Sequence, residues 1–234
     1  MSDTIKITID GRTISGQRGQ TIMVAADAAG IYIPRLCAHK DLTPYGGCRL
    51  CTVMVNGRAQ SACTQPITEG MVVEHDTAQL RDLRAGLIEM LFVEGNHYCP
   101  FCEKSGNCEL QAMAYRFGVM APRYGYMFPK RDIDMSHPDV YLDQNRCILC
   151  ARCARASREI DGKGIFDFVG RGPHRHISPG EAGLGATNLA ATDAAAGICP
   201  VGSLMKKRIG FAIPIGQREY DHRPIGTDVD RGRA

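Results

Sequence analysis

The residues of this sequence best suited to chemistry are its eleven cysteines. They fall into three groups with short internal intervals: Cys37, Cys48, Cys51 and Cys63; Cys99, Cys102 and Cys108; and Cys147, Cys150, Cys153 and Cys199. An odd number of cysteines cannot all form disulfides within one chain, and disulfides are rare in the cytoplasm. Clustered thiolates are typical ligands of soft metal centres. Metal ligation is therefore the first hypothesis for these residues.

The third group has the spacing C-x2-C-x2-C, and its remote fourth cysteine directly precedes Pro200. A turn with this spacing places three thiolates around three corners of a cubane, and a distant cysteine followed by proline completes the set. Zinc sites usually take their ligands from two C-x2-C turns and match this pattern less well. The spacing predicts a [4Fe–4S] cluster bound by Cys147, Cys150, Cys153 and Cys199.

The first group has the spacing C-x10-C-x2-C-x11-C. This is similar to the plant-type [2Fe–2S] layout, although the first interval there is four residues rather than ten. Gly46 and Gly47 precede the central pair and would let backbone amides approach a cluster. A four-cysteine zinc site is the alternative. The favoured interpretation is a [2Fe–2S] cluster bound by Cys37, Cys48, Cys51 and Cys63.

The second group is one ligand short of a cubane, and His97 stands two residues before its first cysteine. A neutral imidazole binds iron in Rieske centres, and replacing a thiolate with it removes a negative charge and raises the reduction potential. A surface or hydrogen-bonding role for His97 is the alternative, but three otherwise unmatched thiols lie beside it. We therefore predict a second [4Fe–4S] cluster bound by His97, Cys99, Cys102 and Cys108.

This assignment uses every cysteine and leaves no thiol for a nucleophile or a disulfide. Several clusters at close range form a path for electrons, so we predict an electron-transfer chain in which no residue is catalytic. The G-x-G-x-x-G and P-loop motifs are absent, so flavin and nicotinamide are expected to bind to another chain.

The bulk composition favours small metal-stabilised units over one large core. Only 6% of the 234 residues are aromatic, and there are 26 Gly and 12 Pro. The net charge of +3 does not indicate a nucleic-acid-binding protein, and no apolar run is long enough to span a membrane. Residues 1–10 alternate like a strand and do not resemble a secretion signal. We therefore expect a cytoplasmic chain.

Local patterns predict the elements that position these ligands. Residues 4–15 and 51–62 each read as a hairpin, with turns at Asp-Gly and Asn-Gly. Residues 20–29 and 78–94 have helical spacing, and a third helix is predicted over 148–160. In the longer helix, five apolar residues are expected to face the core: Leu80, Leu83, Leu87, Met90 and Leu91.

The predicted fold class is α+β. An N-terminal [2Fe–2S] ferredoxin-type domain precedes a small helical His/Cys segment and a C-terminal ferredoxin-like [4Fe–4S] domain. A stretch without apolar periodicity closes the chain. The predicted boundaries are 1–76, 77–118, 119–212 and, for an extended C-terminal tail, 213–234.

The order of the three ligand groups resembles the N-terminal part of the large iron–sulfur subunit of respiratory complex I. With its end "CPVGSLMKKRIGFAIPIGQREY", the whole chain is similar to the small diaphorase iron–sulfur subunits of NAD-reducing soluble nickel–iron hydrogenases. This resemblance implies a β-grasp fold for residues 1–76. In complex I the ligating histidine stands four residues before the first cysteine, where this chain has Gly95.

The resemblance also implies partners. They are a flavin subunit that binds FMN and reacts with NAD(H), and the small and large hydrogenase subunits. The same array could serve an NAD-dependent formate dehydrogenase or a complex I-like NADH dehydrogenase. A zinc-stabilised nucleic-acid-binding or scaffold protein is an alternative of another class, but only "GRGPHRHIS" and "KKR" support it.

Overall fold

The computed structural model describes residues 3–230. Residues 1–2 of the predicted first domain and 231–234 of the predicted tail lie outside the described residues. Short helices and strands alternate, in agreement with the predicted α+β class. The helices are α1 (Ile22–Ala28), α2 (Ala78–Glu94), α3 (Glu109–Arg116), α4 (Arg152–Glu159) and α5 (Ala194–Gly197). The strands are β1 (Thr4–Ile9), β2 (Arg12–Gln17), β3 (Thr52–Val55), β4 (Arg58–Ser61), β5 (Val72–Glu74), β6 (Ile133–Asp134), β7 (Val140–Asp143), β8 (Asp167–Val169), β9 (His176–Ser178) and β10 (Leu204–Lys206).

The first five strands form one mixed sheet in the order β2-β1-β5-β3-β4. Strands β1 and β5 are parallel, and the other neighbours are antiparallel. Both hairpins turn where they were predicted to, at Asp10 and Gly11 and at Asn56 and Gly57, and all four residues have positive φ. Such residues suit the tight turns whose twist matches that of the strands. Helix α1 packs its apolar face on this sheet, capped at its start by Thr21.

Helix α2 has the predicted bounds, but the predicted apolar face is partly wrong. Leu80 is buried, whereas Leu83 and Met90 are 40% and 45% exposed. Arg84 and Glu89 are buried in their place. Both charges have partners, since Arg84 donates to backbone carbonyls and Glu89 pairs with an arginine of the following segment. Helix α2 therefore buries a different face from the predicted one, and this face includes two charged residues whose partners are distant in sequence.

The C-terminal region contains two small sheets against α4 and α5. Strands β10, β7 and β6 form one antiparallel sheet in that order, and β8 pairs with β9 in a hairpin. Helix α4 begins at Arg152 and not at the predicted residue 148. Residues 147–151 instead form a loop in which Leu149 and Ala151 have positive φ. This loop carries the first cysteines of the third group.

A central core joins regions that are distant in sequence. It contains residues from α2, α3 and the loops on either side. It also includes Val201, which lies between α5 and β10, and Ile225, which lies after β10. One cysteine from each of the three groups packs against it: Cys48, Cys108 and Cys199. The three groups therefore share one apolar neighbourhood.

Residues 213–230, predicted as part of an extended tail, contain no helix or strand. They nevertheless contact the body of the molecule. Ile225 is buried, and its carbonyl accepts a hydrogen bond of 2.7 Å from Arg116 of α3. Asp230 pairs with the same arginine at 2.8 Å and accepts from the Tyr32 amide at 2.9 Å. Within residues 3–230, no helix is both long enough and apolar enough to cross a membrane.

Candidate iron–sulfur sites

The first cysteine group converges at one end of the large sheet. Cys37 lies in the loop after α1, Cys48 and Cys51 lie in the loop before β3, and Cys63 follows β4. The Cys37 amide lies 3.4 Å from the Cys48 sulfur, and the Cys48 amide lies 3.5 Å from the Cys37 sulfur. The sulfur atoms of Cys51 and Cys63 are 3.4 Å apart. The structure thus brings all four predicted ligands of this group together in two close pairs.

The thiols of this first group compete for ionisation. Hydrogen bonds with Cys48 and Cys63 lower the pKa of the Cys37 thiol, while the contacts with Cys37 and Cys51 raise the pKa of Cys63. Burial also opposes charge on each sulfur. Four thiolates coexist only when a cation lies among them, and iron supplies that charge. The donor set therefore fits an iron–sulfur cluster.

Two glycines and one arginine shape the loop of the first group. Gly46 has φ of +72°, which would strain any other residue, and a Cβ on Gly47 would lie 2.4 Å from the Tyr45 ring and displace it. The Gly47 amide is directed at the Cys37 sulfur and lowers the pKa of that thiol. The Arg84 guanidinium donates hydrogen bonds to the backbone carbonyls of Leu50, His75 and Thr52 at 3.0, 2.7 and 2.9 Å.

The second cysteine group lines one cavity together with His97. Cys99 and Cys102 lie on and just after a short 3-10 turn, and Cys108 caps the start of α3. The same cavity is lined by Ser105, Gln111, Phe92, Arg146 and Gly202. The structure therefore places the predicted histidine beside all three cysteines.

The His97 ring has the properties of a neutral ligand: a free ring nitrogen and a lowered pKa. Its Nε2 atom is buried and has no hydrogen-bond partner among the described residues. The other ring nitrogen bonds to the Leu91 carbonyl, which fixes the tautomer and leaves a lone pair on Nε2. Burial, together with the charges of Arg146 and Arg131, lowers the pKa of His97 to about 4. An orphaned imidazole nitrogen beside three thiols fits the missing fourth ligand.

Gly95 explains how a histidine at position 97 reaches the cavity. A Cβ on Gly95 would lie 2.9 Å from both Cδ2 and Nε2 of the His97 ring and 2.7 Å from the Asn145 carbonyl oxygen. The imidazole thus occupies the space that a side chain at position 95 would need. The glycine at position 95 thereby leaves room for the His97 ring.

The third cysteine group surrounds a separate cavity with mostly apolar walls, in which Ser203 is the polar residue. All four predicted ligands line it, together with Leu142, Ile148, Ile177, Val201 and Leu204. Burial raises the pKa of Cys147 to about 11 and raises the pKa of Cys150 and Cys153 as well. Thiolates in such surroundings also require a compensating cation. This donor set fits a four-cysteine cluster.

The segment after Cys199 connects the third site to the second. The Pro200 carbonyl accepts a hydrogen bond of 2.9 Å from the Glu109 amide at the start of α3. A Cβ on Gly202 would lie 2.5 Å from the Cys102 sulfur. Two residues of chain therefore separate the fourth cysteine of one site from the wall of the other.

Sequence reasoning missed the buried arginines around the sites. Arg152 and Arg155 of α4 donate to the carbonyls of Ala38 and Cys37 at 3.0 and 2.5 Å, and so tie the third site to the loop of the first. Their interleaving with cysteines in "CILCARCAR" was a visible signal. What the sequence did not contain was the identity of their partners, which lie more than a hundred residues away.

Among residues 3–230, no three His, Cys, Asp or Glu side chains converge as the ligands of a single metal ion do. A cluster distributes its ligands over several iron atoms and does not require that convergence.

Three protein families match successive parts of the chain. A 2Fe-2S iron-sulfur cluster binding domain matches residues 2–78, and the NADH-ubiquinone oxidoreductase-G iron-sulfur binding region matches 84–123. The ferredoxin-like domain of NADH-quinone oxidoreductase subunit 3 matches 137–205. These matches favour iron–sulfur clusters over the zinc alternatives.

The gamma subunit of the NAD-reducing hydrogenase HoxS from Cupriavidus necator is 42% identical over 223 residues, which cover 95% of each chain. The chain belongs to this family. A crystal structure of an NAD+-reducing [NiFe]-hydrogenase in the H2-reduced state contains a chain that matches this one with a TM-score of 0.93 and 48% identity. That match covers 97% of this chain and 98% of the other.

Members of complex I are more distant relatives of the chain. The mitochondrial NADH-ubiquinone oxidoreductase 78 kDa subunit of Candida albicans is 34% identical over 211 residues, which cover 88% of this chain but 29% of that protein. The resemblance drawn from the order of the cysteine groups is thus confirmed, and the hydrogenase protein is matched over almost its full length.

Proposed function

We propose that this chain is the electron-transfer subunit of an NAD-reducing hydrogenase and relays electrons between a flavin-containing NAD(H) subunit and the hydrogenase module. The observation that carries the proposal is the convergence of twelve donor side chains in three sites around one shared core. Iron–sulfur clusters, when bound, accept and release single electrons. The residues of the chain hold the clusters, bury them and set their potentials.

We infer one [2Fe–2S] and two [4Fe–4S] clusters. The first is bound by Cys37, Cys48, Cys51 and Cys63, the second by His97, Cys99, Cys102 and Cys108, and the third by Cys147, Cys150, Cys153 and Cys199. The mixed sheet with α1 packed on it supports a β-grasp fold for the first domain. The proposed domains remain 1–76, 77–118 and 119–212, with 213–234 as a C-terminal segment.

The contacts between the sites support a continuous path. The arginines of α4 link the third site to the loop of the first, and the segment from Cys199 to Gly202 links it to the second. The third site therefore touches both of the others. This arrangement brings the sites close, as electron transfer requires.

The proposed partners are a subunit that binds FMN and NAD(H) and the small and large hydrogenase subunits, all in the cytoplasm. The near-complete match to the gamma chain of HoxS favours these partners over those of a formate dehydrogenase or a complex I-like enzyme. Nickel in the purified complex would support the hydrogenase assignment, whereas molybdenum would support a formate dehydrogenase.

The deciding experiment is iron and acid-labile sulfide analysis of the anaerobically purified complex, combined with electron paramagnetic resonance. The three clusters of this chain account for ten iron atoms, so we expect at least ten per copy of the chain in the complex, together with three reduced-cluster signals that are lost when the donor residues of the three sites are substituted. A colourless preparation that contains zinc would contradict the proposal.

A further inference from the structure

A partly buried ion pair lies where the regions that carry the three donor sets meet. The Arg152 guanidinium forms two hydrogen bonds with the Glu109 carboxylate, Nη1 to Oε1 at 2.6 Å and Nη2 to Oε2 at 2.7 Å. Arg152 is 3% exposed, and the Glu109 side chain is 23% exposed. The two residues belong to different helices, α4 and α3, and are 43 positions apart. This is the bidentate geometry that holds two charges in one fixed orientation.

The pair reaches the first and second sites through residues adjacent to their ligands. Glu109 directly follows Cys108, the last cysteine of the second site. The Arg152 Nη2 atom also donates to the carbonyl of Ala38 at 3.0 Å, and Ala38 directly follows Cys37 of the first site. The Arg152 guanidinium thus contacts Glu109 and Ala38, each of which is adjacent to a predicted ligand of a different site.

Arg152 itself belongs to the third site. It lies between Cys150 and Cys153, and its backbone amide is directed at the Cys150 sulfur. Its Nε atom is buried without a hydrogen-bond partner among the described residues. The same positive charge therefore stands within or beside all three donor sets.

A buried ion pair contributes little net stability by itself, because desolvation of the two charges offsets much of their attraction. Its effect on neighbouring charge is larger, since electrostatic interactions are weakly screened in the interior. A positive charge near a cluster favours the reduced state, and a negative charge favours the oxidised state. Both members of this pair are held at fixed positions among the sites.

We propose that Arg152 and Glu109 are positioning residues that form a shared electrostatic junction and set the reduction potentials of all three clusters together. This inference rests on the proposed electron-transfer function. It predicts that a single substitution at the junction changes the midpoints of clusters whose ligands it does not touch.

The test is a redox titration of the anaerobic holo-complex, monitored by electron paramagnetic resonance, for Arg152→Gln, Glu109→Gln and the double variant. Arg152→Gln should move the midpoints to more negative values, most strongly for the third cluster and less for the other two. Glu109→Gln should move them to more positive values. The double variant should lie close to the wild type, because it removes a neutral pair.

Two further variants distinguish the effect of the Arg152 charge from a structural effect of the substitution. Arg152→Lys keeps the charge and should restore midpoints near those of the wild type despite the lost bidentate geometry. Arg158→Gln, on the same helix but with a side chain that is 65% exposed, should leave all midpoints unchanged. A purely structural role would not give shifts of opposite sign for the two members of the pair.

Unchanged midpoints in both single variants with three clusters present, or shifts of the same sign, would overturn the inference. If Arg152→Gln does not assemble, Glu109→Gln decides alone, because its amide preserves the shape of the carboxylate. Absence of the clusters from the wild-type complex would instead overturn the proposed function.

Discussion

The second and third sites each gather four donors around one cavity, yet their walls differ. The third is lined mainly by aliphatic side chains, with Ser203 as a polar exception, whereas the second is lined by Ser105, Gln111 and Arg146 as well as by its predicted ligands. The second also lies nearer to solvent, with Phe101 of its cysteine turn 81% exposed. Two centres of the same proposed cluster type are thus placed in cavities of different polarity.

The difference concerns charge as well as polarity. The proposed second site exchanges a thiolate for a neutral imidazole and has a guanidinium in its wall. Both changes make the addition of an electron more favourable, whereas four thiolates in an apolar cavity make it less so. We therefore expect the second cluster to have the higher potential. The fold and the cluster type alone would not predict which of the two clusters has the higher reduction potential.

The largest effect is expected from Cys150→Ser in the third site. Loss of a buried thiolate should abolish this cluster, because serine is a poor ligand for iron in an apolar cavity. The iron content of the complex should fall by about four atoms per copy of this chain. Because cluster binding is coupled to folding, the free energy of unfolding should fall by more than about 4 kcal/mol.

Iron analysis and thermal unfolding measure the two effects of Cys150→Ser, and the paramagnetic signals of the other two clusters serve as internal controls. A full iron content with three unchanged signals would exclude Cys150 as a ligand.

The next effect concerns His97, which distinguishes the second site from the third. His97→Ala should abolish or convert one [4Fe–4S] signal and leave the other two. His97→Cys should retain a cluster at a more negative midpoint, because a thiolate adds a negative charge. His176→Ala, an exposed histidine, is the matched control and should change nothing. Normal second-site signals in His97→Ala would show that the imidazole is not a ligand.

The features that could be predicted from the sequence are those that depend on residues close together in the chain. The Asn56-Gly57 hairpin is encoded within a few residues and lies where it was predicted, whereas the helix predicted from residue 148 begins only at Arg152. The ends of α2 were also predicted correctly. Such features depend on short-range geometry that residue types determine directly.

Interactions between distant segments could not be predicted. Periodicity placed Leu83 and Met90 in the core, but Arg84 is buried because three carbonyls from other segments accept its hydrogen bonds. The burial of Ile225 likewise depends on a surface formed by α3. Patterns within one helix carry no information about partners that only the tertiary fold supplies.

A smaller effect is expected from Gly95→Ala, which tests how the second site accommodates its histidine. The added Cβ would meet the His97 ring at 2.9 Å and the Asn145 carbonyl oxygen at 2.7 Å, so the ring or the backbone must move. Overpacking of this kind costs about 1–3 kcal/mol. The second-site signal should broaden or lose intensity, while the third-site signal stays unchanged.

Gly125→Ala is the control for Gly95→Ala, because a Cβ at position 125 meets no atom within 4 Å. Equal spectra for both variants would show that the space beside His97 is not limiting.

The smallest effect is expected from Arg146→Gln, which alters the wall of the second site without removing a proposed ligand. Arg146 pairs with Asp143 at 2.9 Å, and its charge helps to keep His97 neutral. Loss of an interaction of about 1 kcal/mol should lower the midpoint of the second cluster by roughly 40 mV. The third cluster should shift less, because Arg146 does not line its cavity. A redox titration beside the exposed control Arg58→Gln measures both midpoints, and equal shifts at the two clusters would mean that the contrast between their walls does not set their potentials.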